Sequence, residues 1–139
     1  MSRLARSPAM GDHDASRLMA HPFGCGVDVV ELDRFRRAMK RWGSAFVRRV
    51  FTPQEQAYAR RHTDPLSHFA ARFAAKEAVV KAMSQVDPRH PLTMGQIEIR
   101  NDRLGRPSVT LRGRRRSRHA IFISLSHAKR VVVACAIAY

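Results

Sequence analysis

A long alanine-rich segment in the middle of the sequence places the strongest constraint on the fold. The stretch "DPLSHFAARFAAKEAVVKAMSQ" has no glycine or proline in its interior. Because alanine is the best helix former, this stretch predicts the longest helix of the chain, over about 66–84. Within it Phe69, Phe73 and Val80 recur at helical spacing, which predicts a stripe that packs inward.

One strand and two shorter helices are predicted before this segment. The stretch "GCGVDVVE" predicts a strand at about 24–31. Apolar residues at helical spacing then predict a first helix that ends near Gly43; these are Leu32, Phe35, Met39 and Trp42. In "FTPQEQAYARR", Thr52 is the predicted N-cap of a second helix, with Pro53 at its first position and Glu55 at the capping-box position.

Two β-hairpins are predicted after the long helix. The first joins "QIEIRN" to "RPSVTLR" through the turn "DRLG", and the second joins "AIFISLS" to "VVVACAIAY" through "HAKR". One strand, then helices, then hairpins is an α+β order, because a parallel α/β sheet would alternate strands with helices. We therefore predict an antiparallel sheet packed against one long and two shorter helices.

Length and charge limit the domain count and the kinds of partner. At 139 residues the chain suits one domain, and we predict a flexible tail over 1–22 and a single domain over 23–139. The excess of 26 Lys and Arg over 11 Asp and Glu gives +15. Such a charge favours acidic partners: nucleic acid, an anionic membrane surface, phosphorylated ligands or an acidic protein.

The two cysteines indicate a reducing compartment. Cys25 and Cys135 both lie in apolar, strand-like stretches, so we predict that they are reduced and buried, in a cytoplasmic protein. The sequence has no Cys/His spacing typical of a structural zinc site. It also has no apolar run near the ~20 residues of a membrane-spanning helix.

Asp28 is the least expected residue in the first predicted strand. A carboxylate among Val27, Val29 and Val30 is costly to bury without a positive partner. Asp28 is either a structural carboxylate bonded to backbone N–H groups or an arginine, or one protein ligand of a magnesium ion that a phosphate substrate completes.

A second acidic residue lies on the long helix. Glu77 and Lys81 are four residues apart and therefore share one flank. Taken alone, they are typical of a surface ion pair; together with Asp28, they fit a cation ligand beside a phosphate-binding lysine.

Two further patterns, at His127 and in the first predicted helix, each allow more than one interpretation. His127 ends an apolar strand in "SLSH", where a histidine is commonly structural or exposed, although it could also donate to a phosphate or move a proton. The stretch between Asp33 and Glu55 contains no acidic residue and many arginines. This basic face suits a solvated helix, an acidic helical protein or a phosphate backbone.

The motifs "GVDVVELDRF", "FTPQE", "RFAAKEAVVKA", "GRP" and "SLSH", in this order, resemble the holo-acyl-carrier-protein synthase type of 4′-phosphopantetheinyl transferase. The resemblance runs from about Gly24 to Tyr139. It implies a Mg²⁺-dependent enzyme that transfers 4′-phosphopantetheine from coenzyme A to a serine of an apo-acyl carrier protein, releasing adenosine 3′,5′-bisphosphate. It also implies the fold of this transferase family, a homotrimer with sites between subunits, and a cytoplasmic enzyme of fatty acid or polyketide biosynthesis.

The resemblance also implies roles for individual residues. Asp28 and Glu77 would bind the metal, and Glu77, Lys81 and His127 would be catalytic. The base for the serine hydroxyl stays open among Glu77, His127 and a metal-polarised water. The residues expected to bind substrate are Arg72, Lys76, Lys81, Ser126 and His127, and those expected to dock the carrier protein are Arg34, Arg36, Arg37, Lys40 and Arg41.

Two departures from the family pattern bear on activity. The segment 113–119 is too short for the helix usual at this place, and Ala128 stands where a polar residue is common. Two other hypotheses remain beside the transferase. One is a nucleic-acid-binding module without catalysis, motivated by the +15 charge and the stretch "RGRRRSR". Against it, Phe69 and Phe73 fall on a helical core stripe rather than on a strand. The other is a family member that docks a carrier protein without loading it.

Overall fold

The computed structural model describes residues 23–113 and 118–139. The predicted tail over 1–22 and the middle of the basic segment 113–119 lie outside the described residues. No helix among the described residues is long and apolar enough to span a membrane.

The described chain has the predicted α+β architecture. Its elements are β1 (Gly24–Glu31), α1 (Leu32–Val50), α2 (Pro53–Arg60), α3 (Pro65–Val86), a short 3₁₀ helix (Met94–Gln96), β2 (Ile97–Asn101), β3 (Pro107–Leu111), β4 (Ile121–His127) and β5 (Val131–Ala138). The strands form two antiparallel sheets: a three-stranded one in the order β1–β5–β4, and the β2–β3 hairpin. The predicted fold class is confirmed, with the strands divided between these two sheets.

The first helix differs from the prediction at Gly43. Helical structure resumes after this residue and continues to Val50, with a break at Gly43 where φ is 57° and ψ is −146°. Only glycine adopts such a positive φ without strain. The glycine therefore marks a kink within the helical region rather than its end.

The long helix packs on the three-stranded sheet at very short range. Its alanines, among them Ala78 and Ala82, are completely buried. A Cβ atom added to Gly26 would lie 2.0 Å from the backbone oxygen of Ala78, and one added to Gly24 would lie 2.0 Å from that of Ala82. Small residues on both sides thus let the backbone of β1 contact the backbone of α3.

A buried ion pair joins the helices to the second sheet. The ammonium of Lys76 lies 2.6 Å from Oε2 of Glu55, and both side chains are fully buried. Lys76 also donates to the carbonyl oxygens of Val50 and Met94. The other carboxylate oxygen of Glu55 accepts the N–H of Ile99 in β2 at 2.8 Å.

Glu55 also confirms the predicted start of α2. The Thr52 side chain accepts from the Glu55 N–H, and the Glu55 carboxylate accepts from the Thr52 N–H, which completes the capping box with Pro53 in the first turn.

The outer face of the three-stranded sheet is apolar and exposed, so the prediction of buried cysteines is wrong. Successive side chains of a strand point to opposite faces, and the face opposite α3 is not covered by any described element. Cys25 is exposed and Cys135 is partly exposed, both as free thiols. The same face carries exposed Val27, Val29, Phe122, Val133, Ile137 and Tyr139.

We predict that Gly26→Ala destabilises the domain by at least about 2 kcal/mol, since the added methyl group must move β1 away from the backbone of Ala78. Urea unfolding followed by circular dichroism measures the loss. Gly95→Ala is the matched control, because its Cβ would approach the Arg49 oxygen only to 3.3 Å. Equal stability of the two variants would contradict the close contact between β1 and α3.

We predict that Lys76→Met lowers the free energy of unfolding by about 3–5 kcal/mol, because it leaves the Glu55 carboxylate buried without a counter-charge. The double variant Lys76→Met/Glu55→Gln should recover part of the loss. The same urea titration gives both values. A single variant as stable as the wild type would show that the pair is not buried in solution.

Candidate functional site

Asp28 meets a lysine rather than a backbone amide or an arginine. Its Oδ1 lies 2.9 Å from the ammonium of Lys81, which also donates to the carbonyl oxygen of Val27 at 2.8 Å. The Asp28 side chain is 17% exposed and that of Lys81 48%. The carboxylate is therefore on the α3 side of the sheet, at an open edge that a ligand can reach.

Glu77 lies close to this ion pair. Burial raises the pKa of the Glu77 carboxyl, the negative charge of Asp28 raises it further, and Lys81 acts in the opposite direction. Asp28 and Glu77 line the same hollow of ≈ 540 Å³ between β1, α1 and α3. The two predicted metal ligands, 49 positions apart in sequence, are thus brought together, with Lys81 beside them.

The hollow continues past Glu77 along the second half of α1. A second hollow of ≈ 500 Å³ is lined by Trp42, Ala45, Phe46, Arg49, Val50, Phe73, Glu77 and Met94. Trp42, Phe46, Phe73 and Glu77 line both hollows. Glu77 is therefore a point at which the two hollows meet.

Arg72 belongs to a different cluster, nearer the start of α3. Its guanidinium lies 3.9 Å from the centre of the Tyr58 ring and donates to the side-chain oxygen of Asn101 at 3.1 Å. His68 lies next to it, and burial lowers the pKa of His68, with the nearby His62 and Arg72 acting in the same direction. His127, at the end of β4, acts on the pKa of His68 in the same direction.

Two polar atoms of this cluster have no hydrogen-bond partner among the described residues. These are the Nε of Arg72 and the Nε2 of His62, both buried. The His62 and His68 rings stack at 3.8 Å.

The remaining predicted residues fall in three places. Lys76 is in the core, where its ammonium is held by Glu55 and two carbonyl oxygens. Its side chain has no exposed surface, so the structure gives no support to its predicted role in substrate binding. Ser126 is exposed on the outer sheet face, opposite Val133. The residues predicted to dock a carrier protein, Arg34, Arg36, Arg37, Lys40 and Arg41, are all exposed on α1, and among them Arg36 pairs with Asp33 at 2.6 Å.

Sequence reasoning missed the aromatic residues of both clusters. Tyr58 and Arg72 are fourteen positions apart, and no periodicity links them. Trp42 was predicted as part of an apolar stripe on α1, but its side chain is 60% exposed, and the helix breaks at the next residue, Gly43. An aromatic residue beside an interior glycine is the one signal that could have indicated this.

The donor set around Asp28 is suited to a hard cation with few protein ligands. Among the described residues, no three His, Cys, Asp or Glu side chains come together as a metal site. Two carboxylates facing one hollow, with a substrate to supply the other oxygens, are typical of Mg²⁺. The repulsion that Asp28 exerts on Glu77 is the kind that a divalent cation relieves.

Comparison with known proteins supplies further evidence. Residues 24–136 match the 4′-phosphopantetheinyl transferase superfamily. The holo-[acyl-carrier-protein] synthase of Thermodesulfovibrio yellowstonii is 41% identical over 111 residues, covering 80% of this chain and 93% of the relative. That of Geotalea daltonii is 40% identical over 118 residues, covering 81% and 94%.

Solved structures agree with the sequence comparison. The holo-[acyl-carrier-protein] synthase of Neisseria meningitidis superposes with a TM-score of 0.70 at 29% identity, over 84% of this chain and 97% of the other. An ACPS–CoA complex from Chronobacterium ammoniagenes superposes with a TM-score of 0.72 at 30% identity, over 84% and 96%. Asp28 and Glu77 line one hollow of the shared fold, and Lys81 is bound to Asp28. Together with these likenesses, this leads to one conclusion: the chain belongs to the 4′-phosphopantetheinyl transferase superfamily.

Proposed function

We propose that this protein transfers the 4′-phosphopantetheine group of coenzyme A to a serine hydroxyl of an apo-acyl carrier protein, leaving adenosine 3′,5′-bisphosphate. Its relatives are named holo-[acyl-carrier-protein] synthases, and a related structure holds CoA. The observation that carries the proposal is the approach of Asp28 and Glu77 at one hollow beside Lys81. Family membership alone would not distinguish a transferase from a relative that has lost its acidic residues.

Mg²⁺ fits this site, with Asp28 and Glu77 as its protein ligands. Glu77 carries a raised pKa partly because Asp28 is close, so a cation shared by the two carboxylates favours the ionised form of both. When bound, the ion would neutralise charge on the diphosphate of coenzyme A.

Lys81 is the residue that would neutralise charge on the phosphate groups of the substrate. Transfer of this kind depends mainly on positioning and on neutralising the phosphate charge. The ammonium of Lys81 is bound to Asp28, and its side chain is about half-exposed. In the reaction it moves from Asp28 to a phosphate oxygen of the substrate, where it stabilises charge on the departing bisphosphate.

The arrangement favours a homotrimer whose sites lie between subunits. The acidic cluster of Asp28 and Glu77 and the basic cluster of Arg72 and His127 occupy different parts of one subunit. The outer sheet face exposes apolar side chains on all three of its strands, among them Val27, Val29 and Phe122, and a contiguous exposed apolar patch is typical of an interaction surface. Packing these faces together would cover them, and the Arg72 cluster of one subunit would meet the acidic cluster of its neighbour.

The basic face of α1 is proposed to receive the carrier protein. Among its cations, only Arg36 has an acidic partner within the described residues, so the others are available to an acidic helical protein. We place the reaction in the cytoplasm, in keeping with two cysteines that are free thiols.

We predict that Asp28→Ala and Glu77→Ala each lower the rate of carrier loading on the order of a hundredfold or more, since each removes one of two carboxylates for the cation. Mass spectrometry of an apo-acyl carrier protein incubated with coenzyme A and Mg²⁺ detects the added phosphopantetheine. Asp102→Asn, in the β2–β3 turn, is the control and should keep full activity. Unchanged loading by either site variant would refute the proposed metal site.

We also predict that the protein is a trimer and that Val29→Glu converts it to monomers, because the new carboxylate would be buried in the outer sheet face. Sedimentation velocity measures the assembly, and Leu104→Glu, at an exposed turn, is the matched control. A wild-type protein that sediments as a monomer would contradict the proposed assembly while leaving the loading assay to judge the activity.

A further inference from the structure

Trp42 is the largest aromatic side chain exposed among the described residues. The proposed transfer reaction does not explain its position. It is the only tryptophan of the chain, and 60% of its surface is exposed. In an unbroken α1 it would continue the inward stripe of Phe35 and Met39. The positive φ of Gly43 interrupts that stripe immediately after Trp42, and its side chain remains at the surface.

The surroundings of Trp42 are a groove rather than a flat surface. Its ring forms part of the wall of both hollows that meet at Glu77, together with Phe46 and Phe73. Ala45 and Met94 extend the apolar lining on the side away from Asp28. A side chain inserted beside Trp42 would therefore contact apolar surface on both sides and lie next to the proposed metal ligands.

The rim of this groove is cationic. The Arg41 guanidinium lies 5.3 Å from the centre of the Trp42 ring, Arg34 lines the first hollow and Arg49 the second. None of these three arginines forms an ion pair with a residue that the structure describes. An apolar centre surrounded by unpaired cations is complementary to a helix that is acidic on its flanks and apolar along one stripe.

We propose that Trp42 is the apolar anchor of the carrier-protein surface, inserting beside an apolar side chain of the acidic helix while Arg41 and Arg49 contact its flanking carboxylates. This inference rests on the proposed function and adds a specificity-determining residue to it. Tryptophan and arginine are the residue types that most often dominate binding energy at interfaces. Trp42 and Glu77 line the same hollows. A carrier helix held at Trp42 would therefore present its serine to the proposed metal site.

Steady-state kinetics of Trp42→Ala tests the proposal. With a purified bacterial apo-acyl carrier protein as substrate, we expect KM for the carrier to rise at least about tenfold. KM for coenzyme A and kcat at saturating carrier should stay within about twofold, because an anchor for the carrier affects only carrier binding. Trp42→Phe should lie between the two, and Leu104→Ala, another exposed apolar side chain, should match the wild type.

The fluorescence of the single tryptophan provides a second, independent readout. Titration with the apo-carrier should shift the emission of Trp42 to shorter wavelength and saturate with the carrier, whereas coenzyme A with Mg²⁺ alone should not shift it. A similar shift with single-stranded DNA at physiological salt would assign the surface to nucleic acid and overturn the inference. So would an unchanged KM for the carrier in Trp42→Ala.

Carrier loading by the protein and anchoring of the carrier by Trp42 can be refuted separately. If the wild-type protein loads no carrier, the proposed function fails and the inference fails with it. If the wild type loads the carrier and Trp42→Ala loads it with the same KM, the proposed function stands and only the anchor is refuted. Thermal denaturation of Trp42→Ala should match that of the wild type, since the ring is largely exposed, and this separates a docking defect from unfolding.

Discussion

The contact between the backbone of β1 and the backbone of α3 is the constraint on which the site depends. Gly24 and Gly26 on the strand and the alanines on the helix leave no side chain between the two elements. At this distance the next inward residue of the strand, Asp28, reaches the ammonium of Lys81. With bulkier residues at these positions, the strand would stand farther from the helix, and Asp28 and Glu77 would face water separately instead of each other.

The same packing explains why the chain contains two charged clusters instead of one. The sheet covers only one side of α3, so the acidic residues near the middle of the helix and the Arg72 cluster near its start face different surroundings. The outer face of the sheet carries exposed apolar side chains that no described element covers. The proposed trimer would cover this face and bring the two kinds of cluster together across a subunit boundary.

Local signals in the sequence predicted most of the fold. The capping box at Thr52 and Glu55, the alanine-rich helix and the turn residues of both hairpins act over a few residues, and each is confirmed. The pairing of Asp28 with the flank of α3 was open to prediction because a carboxylate in an apolar strand needs a partner. The kink at Gly43 could not be predicted, since a glycine in a helical pattern is compatible with either the end of the helix or a break within it.

The errors share one physical cause. The cysteines were assigned to the interior, and the burial of Lys76 was not foreseen, because a sequence does not show which face of an element is covered. Lys76 points into the core, where its ammonium lies 2.6 Å from the carboxylate of Glu55, twenty-one residues earlier. Cys25 is exposed because no described element lies over the outer sheet face.

Glu55 also bears on how the β2–β3 hairpin unfolds locally from the helices. A two-stranded hairpin has little stability of its own, yet β2 is fixed to the helices because the amide of Ile99 donates to Glu55, which also holds Thr52 and Lys76. One carboxylate thus joins three segments that are distant in sequence. Local opening of the hairpin would leave a buried charge without one of its partners. We therefore expect α2, α3 and β2 to open as one cooperative unit, with amide protons that exchange together rather than segment by segment.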